Sequence, residues 1–325
     1  VTIITALSRE TDFYVLDARI RRVSLAFPRG ASLAARIVSR FAGLWRLKRL
    51  LDVEKPDVTI AFMTDMNIRL SLIRPFLSCR TIISERTNPA RQRINARGRL
   101  LRRLSYRLAE KIVFVSEGVA AAYPWLPRER TAVIYNPMVD IAPSPRPLSE
   151  RPKEFVSVGR FVPAKGFDLM IDAFARIAGD HPDWTLRIVG EGPLRPALEH
   201  RIREHGLADR IMLPGKLDDP QQAFAEAQVY VLSSRHEGFP NALVEAMCAG
   251  LPPVSFACAY GPSEIIADGR SGLLVPPENV EKLAAAMSRI AGDADLREAL
   301  RAEASTIADR LTIAAIAGQW EALFR

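Results

Sequence analysis

A chain of 325 residues is long for one small domain and suits two of about 150 residues each. Its 48% hydrophobic and 25% charged residues exclude wholesale disorder, and no apolar run reaches the roughly 20 residues of a spanning helix. Cys79, Cys248 and Cys258 lie too far apart for a disulfide framework or a paired-cysteine metal site, so a reducing compartment and no structural metal are expected.

The net charge of +8 is divided unevenly: residues 1–150 hold 26 Lys+Arg against 13 Asp+Glu, and residues 151–325 hold 19 against 24. A basic first half points to phosphates, nucleic acid or an anionic membrane face, or is an arginine-rich solvated surface. No interleaving of aromatic and basic residues accompanies it, which argues against nucleic acid.

In chain order, VTIITA reads as a strand and ASLAARIVSRFAGLWRLKRLLDVEKP as a basic amphipathic helix. DVTIAFM and TIISE are strands, GRLLRRLSYRLAE is a helix, and KIVFVS and TAVIYNP are strands. The helix around Trp45 either lies on an anionic bilayer or packs on its own sheet. VDIAPSPRPLSERPK, residues 139–153, has four prolines and no periodicity, and the charge balance changes there. The strand-helix alternation then restarts at FVSVG and runs through TLRIVG, IMLPG, VYVLSS and LPPVSF to SGLLV. VEKLAAAMSRIAG, ADLREALRAEASTIADR and TIAAIAGQWEALF follow as helices. The predicted division is 1–140, a linker at 141–153, 154–308, and a terminal helix at 309–325 that packs back on the first domain. The fold class is α/β, two doubly wound Rossmann-like domains facing a central cleft, where ligands meet strand carboxyl ends.

Four loops of the second half follow strands, and such loops favour anions where a helix begins. GRFVPAKGF places Arg160 and Lys165 between Gly159 and Gly166, a fork and a point charge that both suit a pyrophosphate. GEGPL, with Gly190, either admits a ligand to the backbone or is an ordinary tight turn, and LPGKLDD adds Lys216 and Leu217. In HEGFPNALVEAMCAGLP, Gly238 allows a sharp turn, Pro240 fixes a backbone angle and Asn241 is expected to cap the helix that Ala242 begins. Glu245 sits about one turn in, within reach of a diol, and Glu237 just precedes the turn. An acid in the first turn also stabilises any helix by about 0.3 to 1 kcal/mol, a reading that covers Glu245 better than Glu237.

Taken together, GRFVPAKGF, GEGP, LPG, EGFPNALVEAMCAGLP with its Glu-x7-Glu spacing, GPSEII and SGLLV resemble the donor-binding domain of retaining glycosyltransferases of family 4, which have the GT-B fold. The likeness runs from about Phe155 to Val275. It implies a first domain on the acceptor side and a second that binds a nucleotide sugar. By that resemblance Arg160 and Lys165 hold the donor diphosphate, with Gly159 and Gly190 beside them. Glu245 binds the ribose, Glu237 with the backbone of Gly238, Phe239, Pro240 and Asn241 holds the sugar hydroxyls, and Lys216 and Leu217 lie beside the base. Breaking the anomeric bond leaves negative charge on the nucleoside diphosphate, so Glu237, Arg160 and Lys165 form the implied catalytic set, with no metal or other cofactor required. Glu237 is expected to position and to act electrostatically rather than as a nucleophile.

The first half matches the family more loosely. VTIITA resembles the second strand of such domains, so a first strand and a glycine-rich loop are expected upstream of Val1. Where members carry a histidine, this chain has TIISERTNP. Glu85 is a candidate for orienting an acceptor hydroxyl and Arg86 for a phosphate, and the alternatives are an ion pair or a strand-end cap. Asp65 and Asn67 in FMTDMNI are placed on the facing loop. SERTNP beside EGFPNAL is similar to bacterial enzymes that build surface or lipid-linked saccharides. The acceptor expected is therefore a saccharide or lipid-linked saccharide, and the location cytoplasmic, peripheral at the inner membrane face. Three competing readings stay open: a sugar phosphorylase, a nucleotide-sugar epimerase, and a non-catalytic nucleotide-sugar binder.

Overall fold

The computed structural model describes residues 1–6, 16–25, 33–87, 89, 92, 94–138, 144, 146–217 and 219–324, without the side chains of 33–41 and 220. Parts of three sequence features, residues 139–143 and 145 around the linker, Asn88 of SERTNP and Asp218 of LPGKLDD, lie outside the described residues. Contacts divide the chain into two compact units: Val1–Ser84 with Ile94–Ile112, and Glu85–Arg93 with Val113–Arg325.

In the first unit, β1 (Thr2–Thr5) and β2 (Arg21–Ser24) form a parallel pair, and β2 was not expected from the sequence. α1 (Leu33–Glu54) precedes β3 (Val58–Phe62), whose β-branched residues favour the extended chain. α2 (Thr64–Ile73) leads into β4 (Arg80–Glu85), and β3 pairs with β4 in parallel, Val58 opposite Arg80 and Phe62 opposite Ser84. α3 (Ala96–Tyr106) starts at Asn95, whose side chain accepts a hydrogen bond from the Gly98 amide. β5 (Lys111–Phe114) follows.

FMTDMNI is not a loop. Thr64 opens α2 after Met63, which has φ 71° and no side-chain cap, so the usual start signal is missing. Asn67 lies fully buried on that helix. Its amide donates to the Ser84 carbonyl at 2.8 Å and accepts from the Ser84 amide at 3.3 Å, bracing the carboxyl end of β4.

From Val113 the second unit runs on through α4 (Glu117–Ala121) and β6 (Thr131–Val133). Six parallel strands follow: β7 (Glu154–Val158), β8 (Thr185–Val189), β9 (Ile211–Gly215), β10 (Val229–Leu232), β11 (Pro253–Phe256) and β12 (Leu273–Val275). Between them run α5 (Phe167–Ile177), α6 (Arg195–Glu204), α7 (Pro220–Glu226), α8 (Asn241–Cys248) and α9 (Pro262–Ile265). α10 (Val280–Gly292), α11 (Ala294–Ala304), α12 (Ile307–Arg310) and α13 (Ile313–Ala322) close the chain. The sheet order is β12-β11-β10-β7-β8-β9.

Its strands are apolar runs because helices cover the sheet. Phe155, Phe174, Trp184, Ile188 and Met287 are completely or almost completely buried, and the Phe155 and Trp184 rings lie 4.5 Å apart. Arg297 donates to the carbonyls of Ile290 and Ala291 at 2.7 and 2.9 Å, ending α10, and its guanidinium stacks on Trp184. ADLREALRAEASTIADR does not form one helix. The hydroxyls of Ser305 and Thr306 donate back to the carbonyls of Ala302 and Glu303, and the chain breaks there into α11 and α12. At the carboxyl end, Met138 pairs with the segment entering α13: its amide donates to the Leu311 carbonyl at 2.8 Å.

Asn67→Ala removes the two side-chain hydrogen bonds to the Ser84 backbone, whose carbonyl keeps the Met63 amide, so we expect a loss of about 1 to 3 kcal/mol, read from the urea midpoint of the first unit. A variant as stable as the parent would show that these hydrogen bonds do not hold β4.

Candidate functional site

Strand order reverses between β7 and β10. From β7 the chain steps through β8 to β9 on one side, and from β10 through β11 to β12 on the other. The loops leaving β7 and β10 diverge from two adjacent parallel strands, and such a switch point opens a crevice at their carboxyl ends. These two loops are GRFVPAKGF and SSRHEGFPN.

The first loop ends in a short 3-10 turn, Pro163–Lys165, and a left-handed Gly166 that starts α5. It is fastened to the second loop along its length. Ser233 donates to the Lys165 carbonyl at 2.9 Å and the Arg235 amide to the Ala164 carbonyl at 2.8 Å. The Arg235 guanidinium holds the Pro163 carbonyl at 2.9 Å and both Asp168 oxygens at 2.8 and 2.6 Å. Burial raises the Asp168 carboxyl, but the Arg235 hydrogen bonds and charge outweigh it and hold that carboxyl below its ordinary range.

This framework aims Lys165 at Glu237. The lysine Nζ donates to Glu237 Oε1 at 2.7 Å, and Ser234 Oγ donates to the same oxygen at 2.6 Å. Glu237 is 10% exposed and Lys165 24%. Among the described residues no hydrogen bond reaches Glu237 Oε2. Burial and the Glu237 charge push the neighbouring Cys258 thiol up to about 12, so it stays protonated and is no nucleophile. Arg160, in the same loop as Lys165, is exposed and has no ion pair among the described residues.

Glu245 sits in the second turn of α8, half-buried, with no side-chain hydrogen bond or ion pair among the described residues. Burial raises its carboxyl above the ordinary range. Beneath both acids lies the fully buried Tyr230, whose hydroxyl is raised by burial and then by the charges of Glu237 and Glu245. The α8 start differs from expectation. Asn241 is the first helical residue and does not cap it; Pro240 takes the cap position. The Asn241 side chain instead accepts from Asn136 at 2.8 Å, and Asn136 accepts from Arg86 at 2.7 Å.

Gly238 is needed for space, not for a sharp turn. A Cβ there would lie 2.6 Å from the Arg86 carbonyl oxygen. Ser116 donates to the Gly238 carbonyl at 3.2 Å, and Phe239 is buried with its ring stacked on Tyr135 at 5.5 Å. The second arm of the GPSEII motif locks this region: Glu264 accepts the Glu117 and Gly118 amides, both at 2.8 Å, and the Tyr135 hydroxyl at 3.3 Å.

The glycines of GEGPL serve the loop stack directly. Gly190 has φ 147°, and a Cβ on it would run into the Gly159 carbonyl oxygen, because the β7 and β8 loops touch backbone to backbone. Gly159 donates to the Val189 carbonyl at 2.9 Å and Phe161 to that of Glu191 at 2.8 Å. Lys216 is exposed and Leu217 half-buried in the loop after β9, where Gly215 accepts from the Gly190 amide at 2.8 Å. Arg195 ties the same loops, pairing with Glu191 at 2.6 Å and donating to the Leu213 carbonyl.

On the acceptor-side candidates, Glu85 is fully buried, and its Oε1 accepts from Thr87 Oγ1 at 2.8 Å and from Gln92, while Gln92 also bonds Thr87. The carboxylate is committed to closing its own loop. Arg86 spends a guanidinium nitrogen on Asn136 and the Ile134 carbonyl, and stacks over Trp320 at 5.6 Å. Burial pulls its guanidinium down to about 10. Asp65 is exposed on α2 and pairs with Arg69 one turn on, a surface ion pair of the first unit. Sequence reasoning missed Arg235, Asp168 and Asn136 because each acts through a partner far away in the chain, and it missed Ser234 because a serine three residues before a glutamate carries no signal of its own.

A family model described as "Glycosyl transferases group 1" matches residues 140–306, just over half the chain. The chain belongs to the glycosyl transferases group 1 family. Over 173 residues it is 42% identical to the exopolysaccharide phosphotransferase SCO2592 of Streptomyces coelicolor, covering 53% of this chain and 18% of that protein. Over 310 residues it is 26% identical to a Campylobacter jejuni N-acetyl-D-galactosaminyltransferase named for a PP-undecaprenol-linked saccharide, covering 95% and 85%. The structure of Anabaena HepE in complex with UDP superposes with a TM-score of 0.80 at 19% identity, over 94% of this chain and 85% of that one. That likeness shows the fold, GT-B. Of the curated relatives it matches, the chain spans 18% of the Streptomyces protein and less than half of two glycosyltransferases.

Because the folded Glu245 carboxyl is raised, its ionised form weakens the fold above the unfolded value near pH 4.3, and that penalty disappears as pH falls below it. Glu245→Gln is therefore expected to melt higher than the parent at pH 7 and to lose that advantage below about pH 4. A difference in melting temperature that does not change with pH would remove the burial argument.

Proposed function

We propose that this chain is a retaining glycosyltransferase that moves a hexose or N-acetylhexosamine from a UDP-sugar to a saccharide or lipid-linked saccharide at the cytoplasmic face of a membrane. The observation that carries the donor assignment is the Lys165–Glu237 pair, held by Ser234 at the switch point between β7 and β10. In this reading the diphosphate meets Lys165 and the exposed Arg160, the sugar hydroxyls meet Glu237 Oε2 and the backbone from Gly238 to Asn241, and the ribose meets Glu245. Gly159, Gly190, Lys216 and Leu217 border the nucleotide. UDP in the HepE structure and the undecaprenol-linked saccharide in the Campylobacter name support the donor and acceptor classes.

The chemistry follows from charge. As the anomeric bond breaks, negative charge gathers on the leaving diphosphate, and Arg160 and Lys165 stabilise it where it forms. Glu237 faces the positive charge that develops on the sugar. With Oε1 taken by a lysine and a serine, that carboxylate is a positioning and electrostatic group rather than a strong nucleophile.

Lys165→Ala and Glu237→Ala are each expected to lower transfer about 100- to 1,000-fold, with the melting temperature of the unliganded chain close to the parent's. Activity of the parent is expected to survive a chelator, and NMR of the product to show the donor's anomeric configuration. Saturating UDP at about 100 times Kd is expected to stabilise the parent by about 2.7 kcal/mol, an effect Glu245→Ala reduces. Undiminished transfer in both first variants would remove the site assignment. UDP binding without transfer to any acceptor would leave a binding protein in its place.

A further inference from the structure

α3 faces the wrong way for a core helix. Its sequence from Ala96 through Leu108 carries five arginines and no acidic residue. An amphipathic helix of a globular unit ordinarily turns its leucines inward. Here the inward side is Arg102, Ser105 and Tyr106, with the Tyr106 hydroxyl accepting from Asn67, while Leu100, Leu101, Leu104 and, in the following turn, Leu108 are 58%, 40%, 52% and 45% exposed. At 100° per residue these four leucines fall on one stripe about 100° wide. Arg97 begins the stripe, and Arg103 and Arg107 run along one flank, all three exposed.

We infer that this outward face of α3 docks on an anionic lipid surface. Leucines enter the boundary between headgroups and acyl chains, and the flanking guanidiniums meet lipid phosphates. Charge complementarity selects this occupant. The first unit as a whole carries 20 Lys+Arg against 8 Asp+Glu, so a second copy laid on the stripe would bring arginine rows of the same sign together. Nucleic acid would leave the leucine stripe in water. The inference stands on α3 alone and needs no donor-site assignment. It also differs from the expectation centred on the helix of Trp45, which belongs to α1.

The test is flotation of the full chain with vesicles of phosphatidylglycerol and phosphatidylethanolamine, against vesicles of phosphatidylcholine alone. Binding is expected to the anionic vesicles, to weaken with salt, and to be absent from the neutral ones. Leu100→Ser with Leu104→Ser is expected to lower binding at least tenfold, and each of Arg97→Glu and Arg103→Glu about fivefold or more, since one basic residue at such a surface is worth about 1 kcal/mol. All four positions are exposed, so melting temperatures within a few degrees of the parent keep the comparison valid. Parent protein left behind by anionic vesicles, or serine variants that float as well as the parent, would overturn the inference. So would binding lost with Trp45→Ser but kept in the leucine variants, or a parent dimer that those variants dissolve.

Discussion

The reversal of strand order between β7 and β10 is the constraint on which the candidate site depends. Two adjacent parallel strands release their chains to opposite sides. What holds the loops in register is a set of backbone contacts, and Arg235 is the central fastener. It reaches Pro163, Asp168 and Glu278 with one guanidinium and Ala164 with its own amide. The aim of Lys165 is therefore inherited from the loop, and a substitution at Arg235 acts on the site without touching it.

Charge is arranged to be incomplete. Glu237 is satisfied at one oxygen and not at the other, Glu245 is half-buried with no cation among the described residues, and Arg160 stands exposed. Each is costly or idle in the empty protein. These are the three groups that the proposed function gives to the sugar hydroxyls, the ribose and the diphosphate.

Much of the second unit was legible because its motifs are local. FDLMIDAFARIAG shows its buried face in its spacing, and GRFVPAKGF declares a turn before a helix. Roles that depend on contact were not legible. Gly238 reads as a turn former, yet its partner is the carbonyl of Arg86, 152 positions earlier. The glycines of GEGPL read either as a ligand approach or as a tight turn, and their close partner is the neighbouring loop. Asn241 looks like a cap because asparagine caps helices often, but Asn136 claims its side chain first. α2 escaped notice for the opposite reason: a left-handed Met63 opens it where serine or aspartate would have announced it. The GT-B fold could be expected from the order of motifs even though the first half carries few of them.

The clasp of Glu264 on the first turn of α4 has a consequence in time. Ser116, Glu117, Gly118 and Asn136 find their partners 105 to 147 residues further along the chain, at Gly238, Glu264 and Asn241. A ribosome adding roughly 5 to 20 residues per second needs on the order of ten seconds to deliver them. During that interval β5 and β6 have left the ribosome, but the segments that pin the chain around them have not yet been made. Such distant pairings are slow to close and leave strand edges exposed. The chain around β5 and β6 thus stays without these partners until Glu264 has been made.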